Sequence, residues 1–162
     1  MIQPGEILEF CDLQVCEEIS CEGRSRIVRS SPYSTPDYPH GKDWPNLHTA
    51  NHNIFRLDAN NQVVWQVQRV ETPGQLNWSE AHRQAKEADP TCEGYFDPFN
   101  HMSLQFFERH PLPYKGPFHP TQETVWFDDY APGRLLSLST HWWAYDLDPI
   151  TGIATCTGEQ VK

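Results

Sequence analysis

Basic side chains are scarce in this sequence. Twelve Lys and Arg stand against 22 Asp and Glu, a formal charge of −10, so the counterion release that drives general nucleic-acid binding has few cations to draw on. Direct contact with DNA or RNA is not expected. No apolar run approaches the roughly 18 residues that a membrane helix needs, and the opening MIQPGEILEF lacks the basic and apolar regions of an export signal. The expected setting is cytoplasmic, with no membrane partner. Cys11, Cys16, Cys21, Cys92 and Cys156 include no CxxC pair and are too few for a disulfide scaffold, so reduced thiols are the default. Walker A, GxGxxG and GxSxG motifs are all missing, which removes the sequence grounds for a nucleotide site or a serine-hydrolase elbow.

What is present suits a folded chain. Apolar residues make up 38% and aromatic ones 12% of 162 residues, enough for one domain with a core and too apolar for a disordered chain. Ile7 to Val28 reads as two short strands around Cys-Glu-Glu or Ser-Cys-Glu-Gly turns, with Gly23 as the turn position. Six acids fall between Met1 and Glu22 with no Lys or Arg among them, and Arg24, Arg26 and Arg29 follow at once. Opposite charges paired across two strands would account for that division, and a docking surface is the alternative. Ser31 to Asn53 carries four prolines among Ser, Thr and Asn, the composition of a long irregular loop, with Tyr33, Tyr38 and Trp44 to pin it or to meet a partner.

Asn53 onward reads as a β-hairpin: NIFRLD, a short ANN connection in which Asn61 tolerates a left-handed backbone, then QVVWQVQRV. Alternation predicts one apolar face carrying Phe55, Leu57, Val63, Trp65 and Val67. After Thr72-Pro73-Gly74, the spacing of Asn77 and Glu80 and the following helix formers predict one short peripheral helix over about 78–88. The stretch from 72 to 120 reads as an insertion, with one strand at His101 to Phe107. The last third is β again, with turns at Asp128 to Gly133 and at Asp148 to Gly152, where Asp, Pro and Gly each have a turn role. The fold class is therefore mainly β: an antiparallel meander of two sheets, one peripheral helix and long loops.

Leu57-Asp58-Ala59-Asn60-Asn61-Gln62-Val63 and Leu147-Asp148-Pro149-Ile150-Thr151-Gly152-Ile153 share length and order of apolar, acidic and turn positions. Over about residues 53–68 and 125–157 they resemble blade strands of PQQ-type β-propellers. At about forty residues per blade, the chain is too short to close a ring. Such paired hairpins are similar to those of small, mostly uncharacterised bacterial proteins, some of them immunity-like. That resemblance implies a blade-like fold and a toxin-neutralising role, and no quinone ligand is carried over.

Candidate chemistry competes with simpler explanations. Cys11, Cys16 and Cys21 make a poor zinc site, because five-residue steps along an extended chain alternate faces. His48 and His52 have helical spacing but sit in the Pro- and Asn-rich loop, so no metal site is expected. Asp128-Asp129 and the Asp146/Asp148 pair could serve a glycosidase, with Trp142 and Trp143 as sugar platforms, though turn roles explain them as well. No catalytic residue and no cofactor is assigned. Six Trp and six Tyr beside an acidic surplus suit a protein-binding module acting on a basic partner such as a toxin, through Glu17, Glu18, Tyr33, Tyr38, Trp44, Asp128, Asp129 and Trp142. A carbohydrate-binding or carbohydrate-active domain using Trp44, Trp142 and Trp143, and a small hydrolase using His and acids, are the alternatives. Trp65, Trp126 and one of Trp142 and Trp143 are expected in the core.

Overall fold

Strand-forming runs separated by turn chemistry organise the chain. The computed structural model describes residues 3–7, 14–32, 50–70, 87, 97–113, 116 and 122–161 and is mainly β. β1 (Val15–Ser20), β2 (Arg26–Ser30), β3 (Ile54–Leu57) and β4 (Val63–Gln66) lie in chain order as a four-stranded antiparallel meander. β5 (Gln68–Val70), β6 (His101–Pro111), β7 (Gln122–Phe127), β8 (Leu135–Ser139), β9 (Trp143–Leu147) and β10 (Ile153–Gln160) form a second sheet in the order β5-β10-β9-β8-β6-β7. Of the helix expected over about 78–88, only Glu87 is among the described residues, and it is helical. The strand expected at His101 to Phe107 extends to Pro111 and sits inside the second sheet between β8 and β7. Ala50 and Asn51, at the end of the stretch read as an irregular loop, are helical.

Turn residues close the hairpins as their chemistry dictates. Gly23 has φ +65 in the single 3-10 turn Glu22–Arg24 between β1 and β2. Asp58 accepts backbone N–H bonds from Asn60 at 2.7 Å and Gln62 at 2.9 Å, while Asn61 takes φ +63. Asp148 repeats the device, accepting from the Ile150 N–H at 2.8 Å and the Thr151 hydroxyl at 2.9 Å, with Gly152 at φ +75. Both aspartates thus supply the local bonds that a tight reversal leaves unmade.

The alternation across β3 and β4 does not survive intact. Leu57 pairs with Val63 and Arg56 with Trp65, so Val64 is an extra residue in β4. This bulge turns Val63 and Trp65 to opposite faces. Val63 joins Val28, Phe55 and Leu57 in a small outer cluster, whereas Trp65, Ile54 and Val67 enter the main core with Ile19, Ile27, Met102, Phe106, Leu136, Leu138, Tyr145 and Leu147. A single apolar face for Phe55, Leu57, Val63, Trp65 and Val67 is therefore corrected to two. Each fully buried Ile, Leu or Phe here is worth about 1.5–3 kcal/mol, so the main core carries most of the stability.

β4 leads directly into the other sheet. Val67 N–H donates to Ile54 O at 2.9 Å, and one residue later Gln68 N–H donates to Gly152 O at 2.9 Å. β5 then runs parallel to β10, the one parallel pairing between named strands. At this crossing the two Leu-Asp hairpins meet: the Trp65 indole Nε1 donates to Pro149 O at 3.2 Å and Arg56 Nη1 to the same oxygen at 3.0 Å. Trp126, expected in the core, is instead 47% exposed on β7, because that strand lies at the edge of its sheet and its outer side has no second layer among the described residues. Trp143 packs against the core and Trp142 stays half-exposed.

A Cβ at Gly152 would stand 2.6 Å from the Trp65 ring, at a backbone conformation that L side chains rarely adopt. Gly152→Ala is expected to cost about 1–3 kcal/mol, read as a lower urea midpoint with unchanged slope, while Gly133→Ala, with open space around it, should cost less.

Candidate functional site

The polar interior of the molecule begins in the stretch read as loop. Asn53, buried before β3, donates to Ser30 O at 2.8 Å and Phe99 O at 2.9 Å and accepts the Phe99 N–H at 3.0 Å. Asn51 accepts the Asp97 N–H at 2.7 Å. These two side chains stitch residues 97–99 onto the first sheet and so place Asp97, which is 1% exposed.

Asp97 faces Arg69 of β5. Arg69 donates to the Asp97 carboxylate at 2.9 Å, to its carbonyl at 2.7 Å and to the Tyr145 hydroxyl at 2.7 Å, and its guanidinium lies 5.2 and 5.1 Å from the Phe99 and Tyr145 ring centres. Burial alone would lower the Arg69 pKa; the Tyr145 phenol and the Asp97 carboxylate outweigh it and raise it above the ordinary value. The guanidinium is held charged. Asp97 Oδ1 and Arg69 Nε remain buried without a hydrogen bond, so the pair is constrained by its surroundings as much as by its own attraction.

Beside this network opens a cleft of about 580 Å³, whose described lining includes Arg29, Pro32, Asp97, Asn100, His141 and Trp142. Trp142 is 50% exposed, with the His141 ring edge-on at 4.7 Å between centres. The Thr140 hydroxyl accepts the backbone N–H bonds of Trp142 and Trp143 at 3.2 and 3.1 Å, which fixes this turn.

A second depression, of about 540 Å³, is lined by Ser20, Cys21, Glu22, Asp128, Asp129, Tyr130 and Pro132. Its rim is acidic. The Tyr130 phenol is pushed up by desolvation first, then by Cys21 and Glu22, with Arg56 pulling it down and Asp148 adding to the rise. Asp129 is held by Arg134 Nη1 at 2.7 Å yet is 83% exposed, and Asp128 accepts from Gln105 Nε2 at 2.7 Å. Arg134 in turn sits 3.7 Å over the Phe127 ring and bonds Glu108 at 3.2 Å. The aspartates therefore stand on an ordered base.

The residues singled out from the sequence part company here. Asp128 and Asp129 share the acidic groove with Glu22, and Trp142 belongs to the cleft. Glu17 bonds Arg29 across the strands, accepts the Met102 N–H at 2.7 Å and meets His101 at 3.0 Å, so it joins β1 to β6. Glu18 pairs with Arg26 at 3.3 Å. Cross-strand pairing thus engages both glutamates. Tyr33, Tyr38 and Trp44, and Cys11, Cys92 and His48, lie outside the described residues. Among the described residues no group of three His, Cys, Asp or Glu could hold a metal ion. Asp148 serves its turn, and Asp146 pairs with Arg109 at 3.0 Å. The sequence did not single out Asn51, Asn53, Arg69 or Asp97; Asn in a Pro-rich run reads as turn, and only the paired spacing Asn51/Asn53 just before a strand hinted otherwise. No known family model matches the chain, and no curated protein or solved structure matches it.

Removing one member of a buried charge pair leaves the other uncompensated. Asp97→Ala is expected to cost about 3–5 kcal/mol in chemical unfolding, and Arg69→Met added to Asp97→Leu should recover much of it. Asp146 allows a test by pH. Desolvation raises its carboxyl pKa, Arg109 opposes the rise without cancelling it, and Glu159 adds to it. A carboxyl raised by folding favours the native state at acid pH and loses that contribution as pH rises through its folded pKa. Relative to wild type, Asp146→Asn should therefore gain stability on going from about pH 3 to about pH 7, measured by urea unfolding at each pH; a pH-independent difference would contradict it.

Proposed function

We propose that this protein acts by binding, presenting its acidic groove to a basic protein partner, with neutralisation of a toxin as the finer form of that role. The observation that carries the proposal is the groove rimmed by Glu22, Asp128 and Asp129 around Tyr130. Five of the described arginines, Arg26, Arg29, Arg69, Arg109 and Arg134, are engaged in ion pairs, and the net charge of −10 sets the sign of the outward field. An aromatic centre ringed by charge supplies both contact energy and electrostatic steering. The toxin-neutralising form of the role rests on the likeness of the two Leu-Asp hairpins to propeller-blade strands.

Carbohydrate binding is the alternative, favoured by the half-exposed Trp142 at the mouth of the cleft with Asp97 and Asn100 as polar lining. Of the three tryptophans expected to act as platforms, Trp143 packs on the core and Trp44 lies outside the described residues.

Partner capture from the native cell, followed by titration of the captured protein, separates the two. A basic partner should lose about tenfold or more in affinity between low salt and a few tenths molar salt, and Glu22→Gln with Asp128→Asn and Asp129→Asn should flatten that dependence. Salt-independent capture of a neutral or acidic protein, or glycan-array binding abolished by Trp142→Ala, would replace this proposal with the alternative.

A further inference from the structure

Among the described residues, the edges of the two sheets are not treated alike. The outer side of β4 is covered by the N-terminal residues: Gly5 N–H donates to Val63 O at 2.7 Å, Val63 N–H to Glu6 O at 2.9 Å, and Ile7 bridges Gln62. β1 carries a register shift between Val15 and Glu17, and β5 is three residues long. A covering segment, a bulge and shortness are three of the devices by which proteins blunt an edge.

Among the described residues β7 has none of them. Its six residues pair with β6 in unbroken register from Gln122 opposite Pro111 to Phe127 opposite Phe106. No hydrogen bond ties it to any described residue beyond β6. The sequence QETVWF contains no Lys, Arg or Pro, and every residue of the strand is at least partly exposed. Alternate N–H and C=O groups of an edge strand point away from its single neighbour, and a second extended chain can pair with them.

Charge selects the kind of chain. Glu123 lies near one end of β7, and the strand runs at its other end straight into Asp128 and Asp129, with Glu22 across the groove. The nearby described arginines are engaged: Arg109 with Asp146, and Arg134 with Glu108 and Asp129. We infer that β7 is the docking edge, at which an extended basic segment of the protein partner adds as a further strand and sets its flanking cations against Asp128 and Asp129. This rests on the basic-partner proposal above. A second copy of this chain is the less suited occupant, since each copy carries a charge of −10.

The test uses the full chain and a capped synthetic peptide of about ten residues alternating Val and Lys, the length of a long natural strand, with an alternating Val and Glu peptide as control. Binding of the Lys peptide should slow amide exchange within Gln122–Phe127 by about tenfold or more, the backbone protection expected when strand pairing forms, and leave β1 unchanged. Thr124→Lys, at an exposed position that keeps the ladder, should weaken binding about tenfold, and Asp128→Asn with Asp129→Asn should weaken it and reduce its salt dependence. Peptide binding that leaves β7 exchanging as in the free chain overturns the edge assignment, as does failure of the Lys peptide to bind; in either case the salt titration of the captured partner decides the basic-partner proposal separately. Equal binding of the Glu peptide overturns the charge selection. Concentration-dependent protection of β7 in the protein alone, with a dimer in sedimentation, overturns the partner strand in favour of self-pairing.

Discussion

The indole of Trp65 lies on the bare backbone of Gly152 and donates its N–H to Pro149 O, and this contact holds the two sheets in relation to each other. It joins the turn of one Leu-Asp hairpin to the other, at the place where the chain leaves β4 and becomes β5. Only a residue without a side chain allows the approach, and the indole N–H joins Arg56 in satisfying the Pro149 carbonyl of the turn. The bulge at Val64 is what swings Trp65 inward to make it. Had β4 kept strict alternation, Trp65 would share the face of Val63 and the crossing would lack its anchor.

Around this apolar joint runs a polar seam. Asn51 and Asn53 bind the backbone of 97–99, Arg69 lies against the edge-to-face pair of Phe99 and Tyr145 with Asp97 at its fork, and Glu17 ties β1 to β6. Buried polar groups of this kind add little net stability when paired and cost heavily when one is lost. Their effect is to admit one arrangement of the sheets, since any slip leaves several of them without partners. Most of the described arginines are held in ion pairs, so the acidic surplus of the sequence gives the surface its sign.

That distribution is what links fold to function. The Asp128-Asp129 turn is fixed from below by Arg134 and Gln105, so its charges stand out from a rigid base beside a sheet edge that no described residue pairs with. Ordered like charges beside unpaired backbone groups form a surface with both direction and sign, the two properties an extended cationic segment can meet.

Much of this was legible from local residues. The hairpins at Asn61 and at Asp148 to Gly152, the Gly23 turn, the mainly β class and the pairing of the N-terminal acids with Arg26 and Arg29 follow from interactions between residues close in the chain or directly across a turn. The bulge was not, because an extra residue changes no residue type and only displaces a pattern. Trp126 reads like Trp65 in sequence, both following β-branched residues, yet one is an outer edge residue and the other a core anchor. Asp97, Arg69 and the two asparagines are separated by tens of residues, and nothing local marks them as neighbours. The sequence by itself determined the turns, the strands and the sign of the charge, since each depends on short-range chemistry or on a plain sum. Only the tertiary structure decided which faces are covered, which carboxylates are spent on internal pairs and which strand edge stays open, because these depend on what the rest of the chain brings alongside.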